Sequence, residues 1–94
     1  MKSGYNICIL EDDSFLAGLY ARKFETRGWN TTVIDGVDDI GACVEGGLDI
    51  LIVDIESDGG AGKKFVVSFK KAQKTSNIPV VVLTSVSGRE TVQE

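Results

Sequence analysis

Short apolar runs alternate along this chain with stretches in which apolar residues recur at helical spacing. Three of the runs are dense in Ile, Leu and Val, and a fourth is rich in β-branched residues. Such runs, bounded by turn residues, are typical of strands in a parallel sheet that is buried on both faces. The predicted strands are residues 5–10, 30–34, 49–54 and 80–83.

The stretches between these strands predict helices. Residues 14–27 form the first, which Gly28 ends in the position that glycine favours after a helix. A second, weaker helix is marked by Val37, Ile40 and Val44, and a third covers residues 63–74. Residues 89–94 are able to begin a further helix. Alternating strands and helices with short connections predict an α/β fold, a doubly wound parallel sheet between two helical layers.

Length and charge narrow the class of protein. Ninety-four residues give one small domain, residues 1–94, with no room for a second core. A net charge of −4 argues against nucleic acid as a partner, because phosphate binding needs a basic surface. No apolar stretch is long enough to span a membrane, and the amino terminus lacks the apolar segment of a signal peptide. We therefore expect a cytoplasmic domain without a membrane partner.

The residue types present limit the chemistry. Histidine is absent, which excludes Ser-His-Asp and Cys-His catalysis and histidine-ligated zinc. Cys8 and Cys43 are far apart in the sequence and lack metal-binding spacing, so we expect buried, inert thiols. Carboxylates, hydroxyls and a metal ion are left to carry any reaction.

Acidic residues follow two of the predicted core strands. Glu11, Asp12 and Asp13 follow the first strand, and Asp54 ends the third. The carboxyl ends of parallel strands meet at the edge where open α/β folds bind ligands. Several carboxylates there repel one another unless a cation is present, so the pattern predicts a magnesium site. Asp13 has a simpler role, as the cap of the first helix together with Ser14.

These motifs together resemble the receiver domain of bacterial two-component response regulators. The resemblance rests on the run from Ile7 to Asp13, on Asp54, and on Thr84 and Ser85 after the fourth strand. It covers nearly the whole chain, and the helices and strands between the motifs occur in the same order as in the family. It implies a flavodoxin-like, three-layer αβα fold with strand order 2-1-3-4 and the fifth strand missing.

The resemblance also implies a role for each site residue. Asp54 would accept a phosphoryl group from a sensor histidine kinase or phosphotransfer protein. Magnesium would be bound by Asp12, by Glu11 through a water, by Asp54 and by the backbone carbonyl of Glu56. Thr84 would donate its hydroxyl to the phosphoryl group, and Ser85 would leave room for it. Such a domain assists its own phosphorylation and dephosphorylation but is not an enzyme.

The chain departs from the family pattern at two places. Asp58 stands where the family usually has proline, and the chain ends at Glu94. The family's fifth strand, last helix and site lysine are then absent, which leads us to expect impaired phosphorylation or switching. The fourth strand becomes an apolar edge, so we also expect a homodimer or higher assembly that covers it.

Two other functions compete with the phospho-accepting switch, and a third pattern fails. The chain could be a degenerate receiver that keeps the fold and acts as a protein-interaction module. Asp54 and Glu56 also resemble the paired acids of small aspartate-nucleophile phosphohydrolases. The glycine cluster at 59–62 resembles a nucleotide-binding P-loop, but Ser57 and Lys64 do not fit that pattern.

Overall fold

The computed structural model describes residues 4–83. It contains a strand wherever the apolar runs predict one, with bounds that differ by a residue at most. The strands are β1 (Asn6–Leu10), β2 (Asn30–Ile34), β3 (Ile50–Asp54) and β4 (Val80–Leu83). The predictions for Thr84, Ser85 and residues 89–94 lie outside the described residues.

The first and third helices end two and three residues earlier than predicted, the second begins after Val37, and the third begins two residues early. They are α1 (Ser14–Glu25), α2 (Ile40–Glu45) and α3 (Ala61–Lys71). Asp13 caps α1 as expected, since its Oδ1 accepts hydrogen bonds from the backbone N–H groups of Phe15 and Leu16 at 3.0 and 3.1 Å. The chain turns between Glu25 and Gly28, whose φ of 81° is the left-handed conformation that glycine adopts readily.

All strand pairs within residues 4–83 are parallel, and the strand order is β2-β1-β3-β4. The predicted order and the αβα class are therefore confirmed. In this part of the chain β4 pairs with β3 alone. The two central strands, β1 and β3, are buried along almost their whole length.

Each face of the sheet has its own core. On one face, side chains of the sheet pack against α2 and α3, where Ile40 and Phe69 are buried. On the other face, Ile7, Ile9 and Ile52 pack against α1. This division follows from the strand period, because successive side chains point to opposite faces.

The two cysteines lie next to each other in the first of these cores. Cys8 is fully buried, Cys43 is half-buried, and both are free thiols. Burial and the neighbouring Cys43 raise the pKa of the Cys8 thiol. The predicted burial is confirmed for Cys8, whereas the distance between the cysteines in the sequence gave no sign of their contact.

Polar side chains connect the elements at the amino edge of the sheet. Asp49 Oδ2 accepts the backbone N–H of Asn6 at 2.8 Å, and Asn6 Nδ2 donates to the carbonyl of Gly47 at 2.9 Å. Asn30 Nδ2 donates to Asn6 Oδ1 at 3.1 Å. These contacts fix the ends of β1, β2 and β3 relative to one another.

An aromatic cluster stands at the same end of the sheet. Trp29, just before β2, stacks on Phe24 with ring centroids 5.7 Å apart and meets Tyr5 edge-on at 5.0 Å. The cluster closes the α1 face of the sheet at the amino edge. Within the described part of the chain, no helix has the length and apolar character needed to cross a membrane.

Candidate functional site

Two acidic side chains meet at the carboxyl edge of the central strands. Glu11 follows the last residue of β1, Asp54 is the last residue of β3, and the register pairs Leu10 with Val53. The two residues therefore lie side by side, and each side chain is only 3% exposed. The backbone N–H of Glu11 donates to the carbonyl of Ile34 at 3.0 Å, which holds this residue at the edge of the sheet.

The Glu11 carboxylate is incompletely hydrogen-bonded. Its Oε2 accepts the backbone N–H of Asp13 at 3.2 Å, but Oε1 is buried with no hydrogen-bond partner in the described part of the chain. Burial, together with the nearby carboxylates of Asp54 and Asp12, raises the pKa of Glu11 to about 7 against the opposing effect of the Asp13 N–H. Asp54 therefore lies close enough to Glu11 for the two carboxyl groups to oppose each other's ionisation.

Asp54 is positioned by the backbone on its carboxyl side. Its Oδ1 accepts the backbone N–H of Glu56 at 2.9 Å, and its carbonyl accepts the N–H of Ser57 at 2.9 Å. Helix α3 begins against this segment, because a Cβ built on Gly62 would lie 3.0 Å from the Asp54 carbonyl oxygen. Glycine at position 62 therefore permits the close approach of α3 to the end of β3.

The third predicted metal ligand points to a different partner. Asp12 is exposed, and its Oδ2 accepts the backbone N–H of Asp58 at 3.1 Å. Within residues 4–83, no three acidic or cysteine side chains are grouped closely enough to hold one metal ion. The structure thus brings Glu11 and Asp54 together and leaves Asp12 on the neighbouring loop.

The buried pair nevertheless fits a divalent cation. Both side chains offer the hard oxygen atoms that Mg²⁺ prefers, and Glu11 Oε1 has no donor among the described residues. The pKa of Glu11 is raised first by burial and then by the charge of Asp54, so the ionised carboxylate is disfavoured at this site when no cation offsets it. Glu56 contributes its backbone N–H to Asp54 while its side chain is exposed, so its predicted carbonyl ligand stays a prediction.

Two residues near this site are not among the site residues predicted from the sequence. Tyr20 of α1 lies close enough that, after burial, the charges of Glu11 and Asp54 raise the pKa of its hydroxyl. Asp58 contacts Asp12 through its backbone and adopts a φ of 57°. Its place before two glycines was a usable signal, because aspartate tolerates this left-handed conformation better than most residues do.

Comparison with known proteins gives relatives that are regulators. The swarming motility regulation protein RssB of Serratia marcescens is 28% identical over 81 residues, which are 85% of this chain and 36% of that protein. The uncharacterized transcriptional regulatory protein YkoG of Bacillus subtilis is 28% identical over 86 residues, 90% of this chain and 36% of YkoG. The chain thus spans about a third of the length of these relatives. No family model matches the chain.

Among solved structures, the chain is similar to the non-phosphorylated HemR receiver domain from Leptospira biflexa. The TM-score is 0.74 at 19% identity, over 89% of this chain and 67% of the HemR chain. That likeness concerns the fold, and it agrees with the strand order and with the two core faces. The resemblance to a response-regulator receiver domain that the sequence motifs indicated is therefore confirmed, and this chain has the receiver-domain fold.

Proposed function

We propose that this chain is the phospho-accepting signalling domain of a two-component system. Asp54 is the acceptor, and the phosphoryl donor is a sensor histidine kinase or phosphotransfer protein in the cytoplasm. The observation that carries the proposal is the buried Glu11–Asp54 pair at the carboxyl edge of a receiver-type sheet. The regulatory relatives support the signalling role.

The transfer step requires a positioned nucleophile. An oxygen of the Asp54 carboxylate forms a bond to phosphorus while the bond from phosphorus to the donor's imidazole nitrogen breaks, and the imidazole keeps the electron pair. The backbone N–H of Glu56 holds Asp54 Oδ1, which orients the other oxygen's lone pairs. Magnesium, when bound, supplies positive charge that offsets the phosphoryl oxygens. Asp54, Glu11 and, after a rotation, Asp12 would hold it.

A phosphodonor experiment tests the proposal. The chain is incubated with acetyl phosphate and Mg²⁺, and intact mass is measured at short times. We expect one acid-stable, base-labile phosphoryl group on the native chain and none on Asp54→Asn. Asp49→Asn, which changes an aspartate at the opposite edge, is the matched control and keeps the modification. A native chain that stays unmodified, or a modified Asp54→Asn chain, contradicts the assignment.

One observation favours a second function, that of an interaction module with the receiver fold. Asp12 is engaged by the backbone of Asp58 instead of joining the Glu11–Asp54 pair. A beryllium fluoride adduct distinguishes the two, because it forms only where an acceptor carboxylate and a cation meet. We expect an adduct that depends on Asp54. The phosphohydrolase alternative is less favoured, since Glu56 contacts Asp54 through its backbone and its side chain is exposed.

We further propose that a second copy of the chain covers β4. Val81 and Val82 are 46% and 45% exposed, and β4 pairs with β3 alone within residues 4–83. Apolar edge strands tend to pair with another chain. Light scattering at increasing concentration is expected to show a dimer or larger species. A Val82→Lys variant should shift it towards monomer, and a monomeric native chain at every concentration contradicts the proposal.

A further inference from the structure

Asp58 connects the three loops that follow β1, β2 and β3. Its backbone N–H donates to Asp12 Oδ2 at 3.1 Å, and its own Oδ2 accepts the backbone N–H of Val37 at 3.1 Å. A Cβ built on Gly36 would lie 3.7 Å from the same Oδ2, so the loop after β2 lies close against this carboxylate. One residue therefore holds Asp12 and the neighbouring loop at the same time.

The backbone of Asp58 is held in a conformation that few residues adopt. Its φ of 57° makes it the one non-glycine residue with positive φ in the described part of the chain. A residue with a side chain occupies this region only when its surroundings compensate. The hydrogen bonds to Asp12 and from Val37 provide that compensation, so the three residues form one mechanical unit.

We propose that Asp58 is a positioning residue for Asp12 and that it competes with the cation. Asp12 joins the Glu11–Asp54 pair around a divalent ion only by giving up the Asp58 N–H. The inference rests on the proposed function. Its support is the buried Glu11 Oε1, which has no partner within residues 4–83, together with an Asp12 carboxylate that is already bound elsewhere.

The competition has a structural consequence. When Asp12 rotates towards the cation, the Asp58 N–H loses its acceptor, and Asp58 loses one of the two hydrogen bonds that join it to the loops after β1 and β2. Of the hydrogen bonds that Asp58 makes with Asp12 and Val37, only the one from Val37 then remains. Cation binding thereby loosens the loops after β2 and β3 at the edge where the phosphoryl group would enter.

Two variants at position 58 that carry the same charge differ in whether they can accept the hydrogen bond from the Val37 N–H. Asp58→Gly and Asp58→Asn both remove the carboxylate charge, and both residues tolerate positive φ. Only asparagine keeps a side-chain oxygen that can accept the Val37 N–H. Magnesium affinity is measured by calorimetry on the full chain, with circular dichroism to verify folding. We expect Asp58→Gly to bind Mg²⁺ about fivefold more tightly than Asp58→Asn, the effect of roughly one ordinary hydrogen bond.

Amide spectra of the native chain give a readout that is independent of phosphorylation. We expect Mg²⁺ to shift the Asp58 amide resonance and to speed its hydrogen exchange, because its acceptor is withdrawn. Magnesium binding that leaves this amide unchanged, or equal affinities of the two variants, overturns the positioning role and leaves the proposed function standing. No magnesium binding by the native chain or by either variant overturns the magnesium-dependent function and the positioning role with it.

Discussion

The two edges of the sheet use acidic residues in opposite ways. At the amino edge, Asp49 accepts the backbone N–H of Asn6 and joins a network that links three strands. At the carboxyl edge, Glu11 is more deeply buried, yet one of its oxygens has no partner in residues 4–83. The first arrangement stabilises the fold. The second stores unfavourable charge that a ligand can relieve, and a site of this kind is expected to be functional.

The largest expected effect comes from removing the buried charge at the carboxyl edge. Because the pKa of Glu11 is raised from 4.5 to about 7, the folded chain holds a proton that the unfolded chain releases between these pH values. Stability therefore falls as the pH rises from about 4.5 to 7. At pH 8 without magnesium, we expect Glu11→Gln to stabilise the chain by on the order of 3 kcal/mol.

Urea denaturation at two pH values measures this effect. The gain should disappear near pH 4, where the native Glu11 is protonated in both states, and should shrink when magnesium is added. A Glu11→Gln variant that is less stable than the native chain at pH 8 would show that the two edges do not differ in the way described.

The next effect concerns Gly62, where α3 meets the end of β3. A methyl group at this position would stand 3.0 Å from the Asp54 carbonyl oxygen and 3.2 Å from Val53 Cγ1. We expect Gly62→Ala to lower the free energy of unfolding by about 2 kcal/mol, since the packed backbone of β3 cannot easily move to make room for the methyl group. Gly41→Ala is the control, because a Cβ there meets nothing within 4 Å. Equal stabilities of the two variants would contradict the close approach.

At the amino edge, we expect removal of an acidic side chain to destabilise the chain, the opposite of the effect expected for Glu11→Gln. Asp49→Ala removes the acceptor of the Asn6 N–H at 2.8 Å and should destabilise the chain by about 1.5 kcal/mol. Magnesium should not change this loss, because the residue lies at the other end of the strands. A loss that magnesium reverses would mean that the two edges are coupled.

The smallest expected effect concerns Asp13, which follows Glu11 and Asp12 in the sequence but caps α1 in the structure. Asp13 is exposed and accepts the N–H groups of Phe15 and Leu16 as the cap of α1. We expect Asp13→Ala to cost about 1 kcal/mol of stability, which Asp13→Ser should largely restore. If serine fails to restore it, the carboxylate matters through its charge, and Asp13 belongs with Glu11.

The sequence predicted the sheet well because its two central strands are buried on both faces. The runs at β1 and β3 contain little but Ile, Leu and Val, and such runs have few alternatives in a small α/β domain. Helix ends were less predictable. Residues 26–27 and 72–74 continue the helical pattern of α1 and α3, but turn geometry ends both helices earlier.

The site was predictable in part. Strand adjacency places Glu11 beside Asp54, and any parallel arrangement of β1 and β3 would do so. The orientation of Asp12 depends on the backbone of Asp58, 46 residues away, and on a positive φ that sequence patterns do not specify. Thr84 and Ser85 lie outside the described residues, so their roles stay predictions.

The stacking of the chain's single tryptophan has a practical consequence for these experiments. Trp29 stands with Phe24 and Tyr5 at the opposite end of the strands from Glu11 and Asp54. Its fluorescence should report the loss of aromatic packing on unfolding while staying insensitive to ion occupancy. The chain thus carries a built-in optical probe of folding that is separated by a strand's length from the chemistry.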